Sequence, residues 1–182
     1  MLEVERLALE GPLVLRPKVH SDTRGYFFES FNTQVFKKCV GENINFVQDN
    51  ESLSKKGTLR GLHFQINPMA QGKLVRVVEG KIFDIAVDMR KTSPTFGKWL
   101  SVELSDYNKK QLWVPPGFAH GFLALSESAR VIYKTTELYS REHESTIRWD
   151  DSEIGIDWPT GFDFQISDKD KNGLSFADSP HF

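Results

Sequence analysis

The sequence predicts a mainly β protein, a jelly-roll sandwich or barrel with a few short helices, and three observations carry that prediction. Between about residues 44 and 140, short segments of strand-like pattern follow one another, separated by Gly, Pro and Ser. Helix signals are sparse, the best being Asn32 as an N-cap before TQVFKKC, with Gly41 closing the segment. The chain of 182 residues shows no internal repeat or interdomain linker. One domain over 1–182 is therefore expected, with its core at about 12–140 and a less regular tail from about 150 to 182.

Taken in order, strands are expected at 12–18 and 25–31, then, after the helix, at 45–51 and 58–65. Residues 73–79 (KLVRVVE) and 81–89 (KIFDIAVDM) flank Gly80 and read as a hairpin. In the second of these, Phe83, Ile85, Val87 and Met89 share one face and Asp84 and Asp88 the other, as a strand with unlike faces requires. Further strands are expected at 97–104, 111–114, 120–125 and 130–138, with loops at NPMAQG, RKTSPTFGK and PPG. In the tail, WPTGF reads as a turn and SDKDKNG as a short helical start. Ser167 and Asp170 have the spacing of a variant capping box, yet Gly173 works against a long helix, which leaves Asp168 or Asp170 open to serve a site elsewhere.

Composition narrows the function. A net charge of −2 provides no basic field for nucleic acid or a membrane surface, so a phosphate-bearing ligand would be held by local Arg and Lys side chains. Cys39 is the single cysteine, which rules out an intramolecular disulfide and suits a reducing compartment. The opening MLEVERLALEG carries acidic residues where a signal peptide has an apolar run, and no stretch is long enough to span a bilayer. A cytoplasmic protein is expected.

The run GTLRGLHFQ, residues 57–65, places Arg60 and His63 inside an apolar strand pattern. Buried polar groups are costly unless paired, at about 1–3 kcal/mol for one left unsatisfied, so two in one strand point to a use. A histidine titrates near neutral pH and can take a proton from carbon if a carboxylate orients its ring and a cation meets the developing enolate. Lys73 in QGKLVRV, His120 in PPGFAHGF and Tyr133 in RVIYKTT are candidates to join it. Each also has a plain structural reading: a solvated strand-end lysine, a packed histidine at a hairpin corner and a core tyrosine with a satisfied hydroxyl. Arg24 and Arg60, each beside a glycine, suit a diphosphate held by forked donors, against ordinary surface charge. Arg60 and His63 have opposite strand parity, so both reach one ligand only if Gly61 makes a bulge or a second subunit completes the site.

Beyond these local signals, the chain resembles the dTDP-4-dehydrorhamnose 3,5-epimerase family from about residue 12 to 178. The resemblance rests on SDTRGYFFESF, FVQDNESLS, GTLRGLHFQ, AQGKLVRVVEGKIFDIAVDMRKTSPTFGKW, NKKQLWVPPGFAHGFLALS, YKTTELYS, IRWDD and SDKD, in that order. It implies a cupin-like jelly roll and a homodimer in which a strand of one subunit completes the other's site, bringing Arg24 and Glu29. It also implies His63 as general base paired with Asp170, Tyr133 as the acid on the opposite face, Lys73 as support for the enolate and His120 beside the sugar. Arg24, Glu29, Gln48, Asp49, Asn50 and Arg60 would bind the nucleotide diphosphate, helped by Glu144 and Lys169, with Tyr139 stacked on thymine. The family often has two adjacent tyrosines where this chain has Leu138 and Tyr139. The implied reaction inverts C3 and C5 of dTDP-4-dehydro-6-deoxy-D-glucose to give dTDP-4-dehydro-L-rhamnose, with no redox cofactor or metal.

Three other readings stand beside it. A metal-dependent cupin would use PPGFAH as its second histidine motif, but Gln65 stands where the first motif has its second histidine. An enzyme inverting only C3 or C5, or moving the ketone, has the same inventory of residues. A non-catalytic sugar-binding jelly roll needs no base opposite an acid.

Overall fold

The computed structural model describes residues 2–41 and 44–182. The chain opens with β1 (Glu3–Arg6) and β2 (Leu13–Arg16), then a small hairpin of β3 (His20–Asp22) and β4 (Gly25–Phe27), and α1 (Thr33–Val40). The main strands follow: β5 (Gln48–Lys55), β6 (Thr58–Gln65), β7 (Lys73–Glu79), β8 (Lys81–Asp88), β9 (Trp99–Ser105), β10 (Gln111–Val114), β11 (Phe118–Ala124) and β12 (Ser128–Thr135). The tail contributes β13 (Glu144–Thr146), β14 (Gln165–Ile166) and α2 (Asp168–Lys171).

These strands form two facing sheets. Sheet one has the order β1-β2-β10-β7-β12-β5, and sheet two the order β13-β6-β11-β8-β9, with β14 parallel to β6 at its edge. The alternation in the sequence sorts side chains between the two faces of each sheet. Val14, Val75, Leu112 and Val131 of sheet one meet Ile82, Ala86, Val102 and Phe122 of sheet two in the core between the layers. The outer face of sheet two, with Ile85, Val87 and Phe64, is covered by tail residues such as Ile154, Trp158 and Phe176. On the outer face of sheet one, Phe36 of α1 packs edge-on against Trp113 at 5.3 Å. This is the jelly-roll architecture expected, and no helix among the described residues is long and apolar enough to cross a membrane.

The helix begins as predicted: the Asn32 side chain accepts from the backbone of Gln34 and Val35, and Gly41 closes it in the left-handed conformation. Several strand limits shift. The expected strand at 45–51 runs instead from Gln48 to Lys55, and that at 25–31 shortens to Gly25–Phe27, paired with His20–Asp22 outside both sheets. β1, β13 and β14 lie outside the expected strands. The hairpin expected across Gly80 is not formed: β7 pairs with β10 and β12, while β8 pairs with β9 and β11. Gly80, at φ 78°, turns the chain from one sheet into the other, and a Cβ there would lie 2.0 Å from the Ser128 carbonyl oxygen. Sequential strands flanking one glycine look alike whether they pair or part. The Asp84 face of β8 is also no solvated face, because Asp84 and Asp88 are both fully buried.

Candidate active site

Gly61 decides what the inner face of β6 presents. The pairing with β11 slips by one residue between His120↔His63 and Phe122↔Arg60, and Gly61 adopts φ 126°. A Cβ at this position would lie 2.6 Å from Gly121 Cα and 2.9 Å from the His120 carbonyl oxygen. Only glycine fits the bulge, and the extra residue returns Arg60 and His63 to one face. The parity conflict is thus resolved within a single chain.

SDKD starts a short helix capped by Ser167, but it closes no capping box, because Asp170 turns to β6 instead. Ser167 Oγ caps α2 by accepting from the Asp170 backbone N–H at 3.1 Å. The Asp170 carboxylate does not turn back to close a capping box: Oδ1 lies 2.6 Å from His63 Nε2, and Oδ2 accepts from the Gly61 N–H at 3.3 Å. Burial pushes the Asp170 carboxyl upward, but its hydrogen bond to His63, the charge of that ring and the two backbone and hydroxyl contacts hold it below the ordinary carboxylate value. Asp170 is buried, whereas the His63 side chain remains 29% exposed.

Lys73 stands at the start of β7, 9% exposed, with Nζ donating to the His63 carbonyl oxygen at 3.2 Å. Burial pushes its ammonium down to about 8; Asp84 and Glu144 oppose the shift and Lys169 adds to it. Tyr133 projects from β12 toward the same space, opposite Asn50 of β5. Its phenol is raised chiefly by burial, with Arg60 opposing, so it is a protonated donor at neutral pH. His63, Lys73, Tyr133, Gln48, Asn50, Gln65, Tyr139 and Glu144 line a cavity of about 140 Å³ between the sheets. A second cleft of about 460 Å³, lined by Arg60, Lys169 and Asp170, shares His63 with it.

A connected rim surrounds the cavity. Lys169 Nζ lies 2.6 Å from Glu144, Tyr139 OH donates to Glu144 at 3.0 Å, and the Tyr139 N–H donates to Gln48 Oε1 at 3.1 Å. Gln48 in turn donates to Asn50 Oδ1 at 2.8 Å. Burial raises the Glu144 carboxyl, but its bonds from Lys169 and Tyr139 leave it net lowered, an anion on the rim. The Tyr139 ring stays 56% exposed, a free face beside the opening. His120, directly opposite His63 on β11, is buried, with Nε2 at 2.8 Å from Asp84 Oδ1.

Three of the expected binding residues lie elsewhere. Arg24 stands on the β3–β4 hairpin, its side chain 89% exposed and paired with Asp22 at 2.6 Å. Glu29 accepts from Asn32 at 3.1 Å and lines a separate groove of about 600 Å³ on the outer face of sheet one. Asp49 has the opposite parity to Gln48 and Asn50, so it faces outward and binds Lys134 at 2.9 Å. The structural roles of two residues escaped the sequence reading. Asp84 carried no local sign that its face of β8 points into the core. Gln65 holds the segment bearing Tyr139: Nε2 donates to the Met69 and Leu138 carbonyls at 2.7 and 3.1 Å, and Oε1 accepts from Ser140 N–H at 2.7 Å. With both ends of its amide occupied by backbone, Gln65 is a structural clamp. Among the described residues no three His, Cys, Asp or Glu side chains cluster as a metal-ligand set would require.

Comparison with known proteins places the chain in a family. The model of the family described as dTDP-4-dehydrorhamnose 3,5-epimerase matches residues 6–178. The chain belongs to that family. A dTDP-4-dehydrorhamnose 3,5-epimerase from Shigella flexneri is 53% identical over 181 residues, covering 100% of this chain and 99% of that one. Among solved structures, the Legionella pneumophila epimerase RmlC in complex with dTDP-4-keto-L-rhamnose superposes with a TM-score of 0.96 at 43% identity, covering 99% and 95% of the two chains. A 3'-monoepimerase from Streptomyces bikiniensis, in complex with dTDP-quinovose, also superposes, with a TM-score of 0.90 at 32% identity over 94% and 86% of the chains. The 3,5-epimerase fold is therefore shared by an enzyme named for a single centre.

Proposed function

We propose that the chain inverts C3 and C5 of dTDP-4-dehydro-6-deoxy-D-glucose to give dTDP-4-dehydro-L-rhamnose, using His63 as base and Tyr133 as acid. The observation that carries this reading is the His63–Asp170 pair at 2.6 Å opening onto the cavity that Tyr133 and Lys73 also line. The C4 ketone acidifies the hydrogens on C3 and C5. His63 takes one such proton, the electrons move into the enolate, and the Lys73 ammonium faces the developing oxyanion. Tyr133, protonated at neutral pH, returns a proton from the other side of the ring. The phenolate and the imidazolium then restore themselves through water before the second carbon reacts. Asp170 holds the imidazole in one tautomer and stabilises its cation, as the buried carboxylate of a catalytic triad does.

The rim suits the rest of the substrate. Arg60 and Lys169 supply forked and point-charge donors for the diphosphate, and Gln48, Asn50 and Glu144 offer hydrogen bonds. The exposed ring of Tyr139 gives thymine a stacking surface. His120 serves as a buried neighbour of the sugar site. Arg24 and Glu29 come to this scheme from a second copy: the hairpin that carries Arg24 also exposes Tyr26 (58%) and Phe27 (72%), apolar surface that a homodimer would cover. A cytoplasmic setting fits the single free thiol of Cys39.

In deuterated water, the enzyme given the 4-keto sugar nucleotide is expected to incorporate deuterium at both C3 and C5 without added metal or nicotinamide. Exchange at one carbon alone would replace the reading with a mono-epimerase, and dependence on added iron would replace it with a metal cupin.

A further inference from the structure

Between the end of β12 at Thr135 and the start of β13 at Glu144 the chain belongs to neither sheet, yet it carries Tyr139 at the edge of the cavity. Backbone groups outside a ladder still need partners, and here three glutamine side chains supply them. Gln71 Nε2 donates to the Glu137 carbonyl at 2.7 Å, and Gln65 Nε2 to the Leu138 carbonyl at 3.1 Å. Gln48 Oε1 accepts from the Tyr139 N–H at 3.1 Å, and Gln65 Oε1 from the Ser140 N–H at 2.7 Å. Residues 137–140 are thus each gripped through the backbone, from β5, from β6 and from the loop before β7. Gln65 is 3% exposed, whereas Leu138 and Tyr139 stand 55% and 56% exposed. The segment is therefore ordered by the amides beneath it rather than by burial of its own side chains, and the Tyr139 ring has one further tie, its hydroxyl on Glu144.

We propose that Gln65 and Gln71 are positioning residues for nucleotide binding: they hold the 137–140 backbone so that the Tyr139 ring stands ready to stack on the base. A ring ordered only at the moment of binding costs affinity, and one held in place beforehand does not. Gln65 has the larger share, because it is bonded on both sides of Tyr139, at Leu138 and Ser140, and also donates to the Met69 carbonyl at 2.7 Å. Gln71 holds one carbonyl, two residues before the ring, that also accepts from Thr135 Oγ1 at 2.9 Å. Loss of the Gln65 amide strips these backbone groups of their partners and frees the segment to leave the cavity mouth. His63 and Tyr133 lie on β6 and β12, which their own ladders hold, so the loss falls on binding rather than on turnover.

This inference rests on the reading in which Tyr139 stacks on thymine, and the variants separate the two. Gln65→Met keeps the length of the side chain and removes both its donor and its acceptor. Expected are a Kd for dTDP and a KM raised by about 5–20-fold, kcat within about twofold, and an unchanged affinity for inorganic pyrophosphate, which has no base. In a Tyr139→Ala background the same substitution should add less than about twofold to the Kd for dTDP, since its effect passes through the ring. Gln71→Met, at a half-buried position, should weaken dTDP by about 2–5-fold with kcat kept, and it carries the test if Gln65→Met folds poorly. Unchanged dTDP affinity in either folded variant, an equal loss for pyrophosphate, or full additivity with Tyr139→Ala overturns the proposal. Wild-type dTDP affinity in Tyr139→Ala overturns the stacking reading and the proposal with it. A weakened Tyr139→Ala beside an unaffected Gln65→Met overturns the proposal alone.

Discussion

Two histidines face each other across β6 and β11, each with Nε2 on a carboxylate, and the two pairs differ in almost everything else. His63 is 29% exposed at its side chain and meets an aspartate delivered from 107 residues away by the short tail helix. His120 is 9% exposed and meets an aspartate two strand positions along the neighbouring β8. A base has to reach both substrate and solvent to take and return protons, and only the first pair has that access. The second is enclosed in the core, where the contact holds the His120 ring out of reach of solvent. The same two residue types therefore open onto a cavity in one place and lie in the packed core in the other, according to exposure and to the element that supplies the acid.

The sharpest way to break this comparison is to remove each ring. His63→Ala is expected to abolish deuterium wash-out at C3 and C5, a loss of at least about 10²–10⁴ in rate. Equal loss from His120→Ala would erase the distinction, since that variant should retain wash-out and lose only about 10–100-fold, the worth of one charge-assisted contact. Asp170→Asn tests the tautomer. It removes the anion that stabilises the imidazolium and should cost about 10²–10³ in kcat, with KM nearly unchanged in steady-state assays.

Tyr133→Phe separates the two faces of the sugar: wash-out should persist while productive inversion falls by about 10²-fold, read by comparing exchange with product by NMR. Full inversion in this variant would remove the phenol from the mechanism. A smaller effect belongs to Tyr139→Ala, which should raise KM by about 5–100-fold with kcat preserved, as loss of one stacking contact to a base predicts.

The pH dependence has two ends with opposite physics. The Asp170 carboxyl is lower in the fold than in the unfolded chain, so the pair with His63 contributes fully above the ordinary carboxylate value, near 3.8, and is lost as pH falls through the lower folded value. Lys73 is depressed to about 8, so the ammonium, and kcat with it, should decline as pH rises through about 8. The same depression makes the folded state gain stability between about 8 and 10.5, because there the unfolded chain still binds a proton that the fold has shed. Denaturant midpoints of wild type and Lys73→Met, compared at pH 7 and pH 10, should converge as pH rises.

Much of the site was legible in the chain because its parts carry local chemical anomalies. Arg60 and His63 stood out in an apolar strand, and their parity called for either a bulge at Gly61 or a second subunit; the structure has the bulge. The Asn32 cap, the turn glycines and the alternation in β6, β7, β8 and β12 are short-range signals, and they hold. The pairing across Gly80 was not legible, since two strands joined by one glycine satisfy a hairpin and a sheet-to-sheet crossing equally well. Asp170 had a sufficient local use as a helix-capping neighbour of Ser167, and nothing within SDKD reports that its carboxylate turns the other way.

What the sequence by itself determined is the alternation, the caps and the identity of the groups that share each strand face, because these depend on backbone geometry over a few residues. Which face looks inward, which sheet each strand joins and which acid meets which histidine were decided only by the tertiary structure. Strand periodicity states that Asp84 shares a face with Ile82 and Ala86, but burial of that face between two sheets is a property of the packed layers. Delivery of Asp170 to His63 depends on the tail running beside β6, a contact across 107 residues that no local pattern encodes.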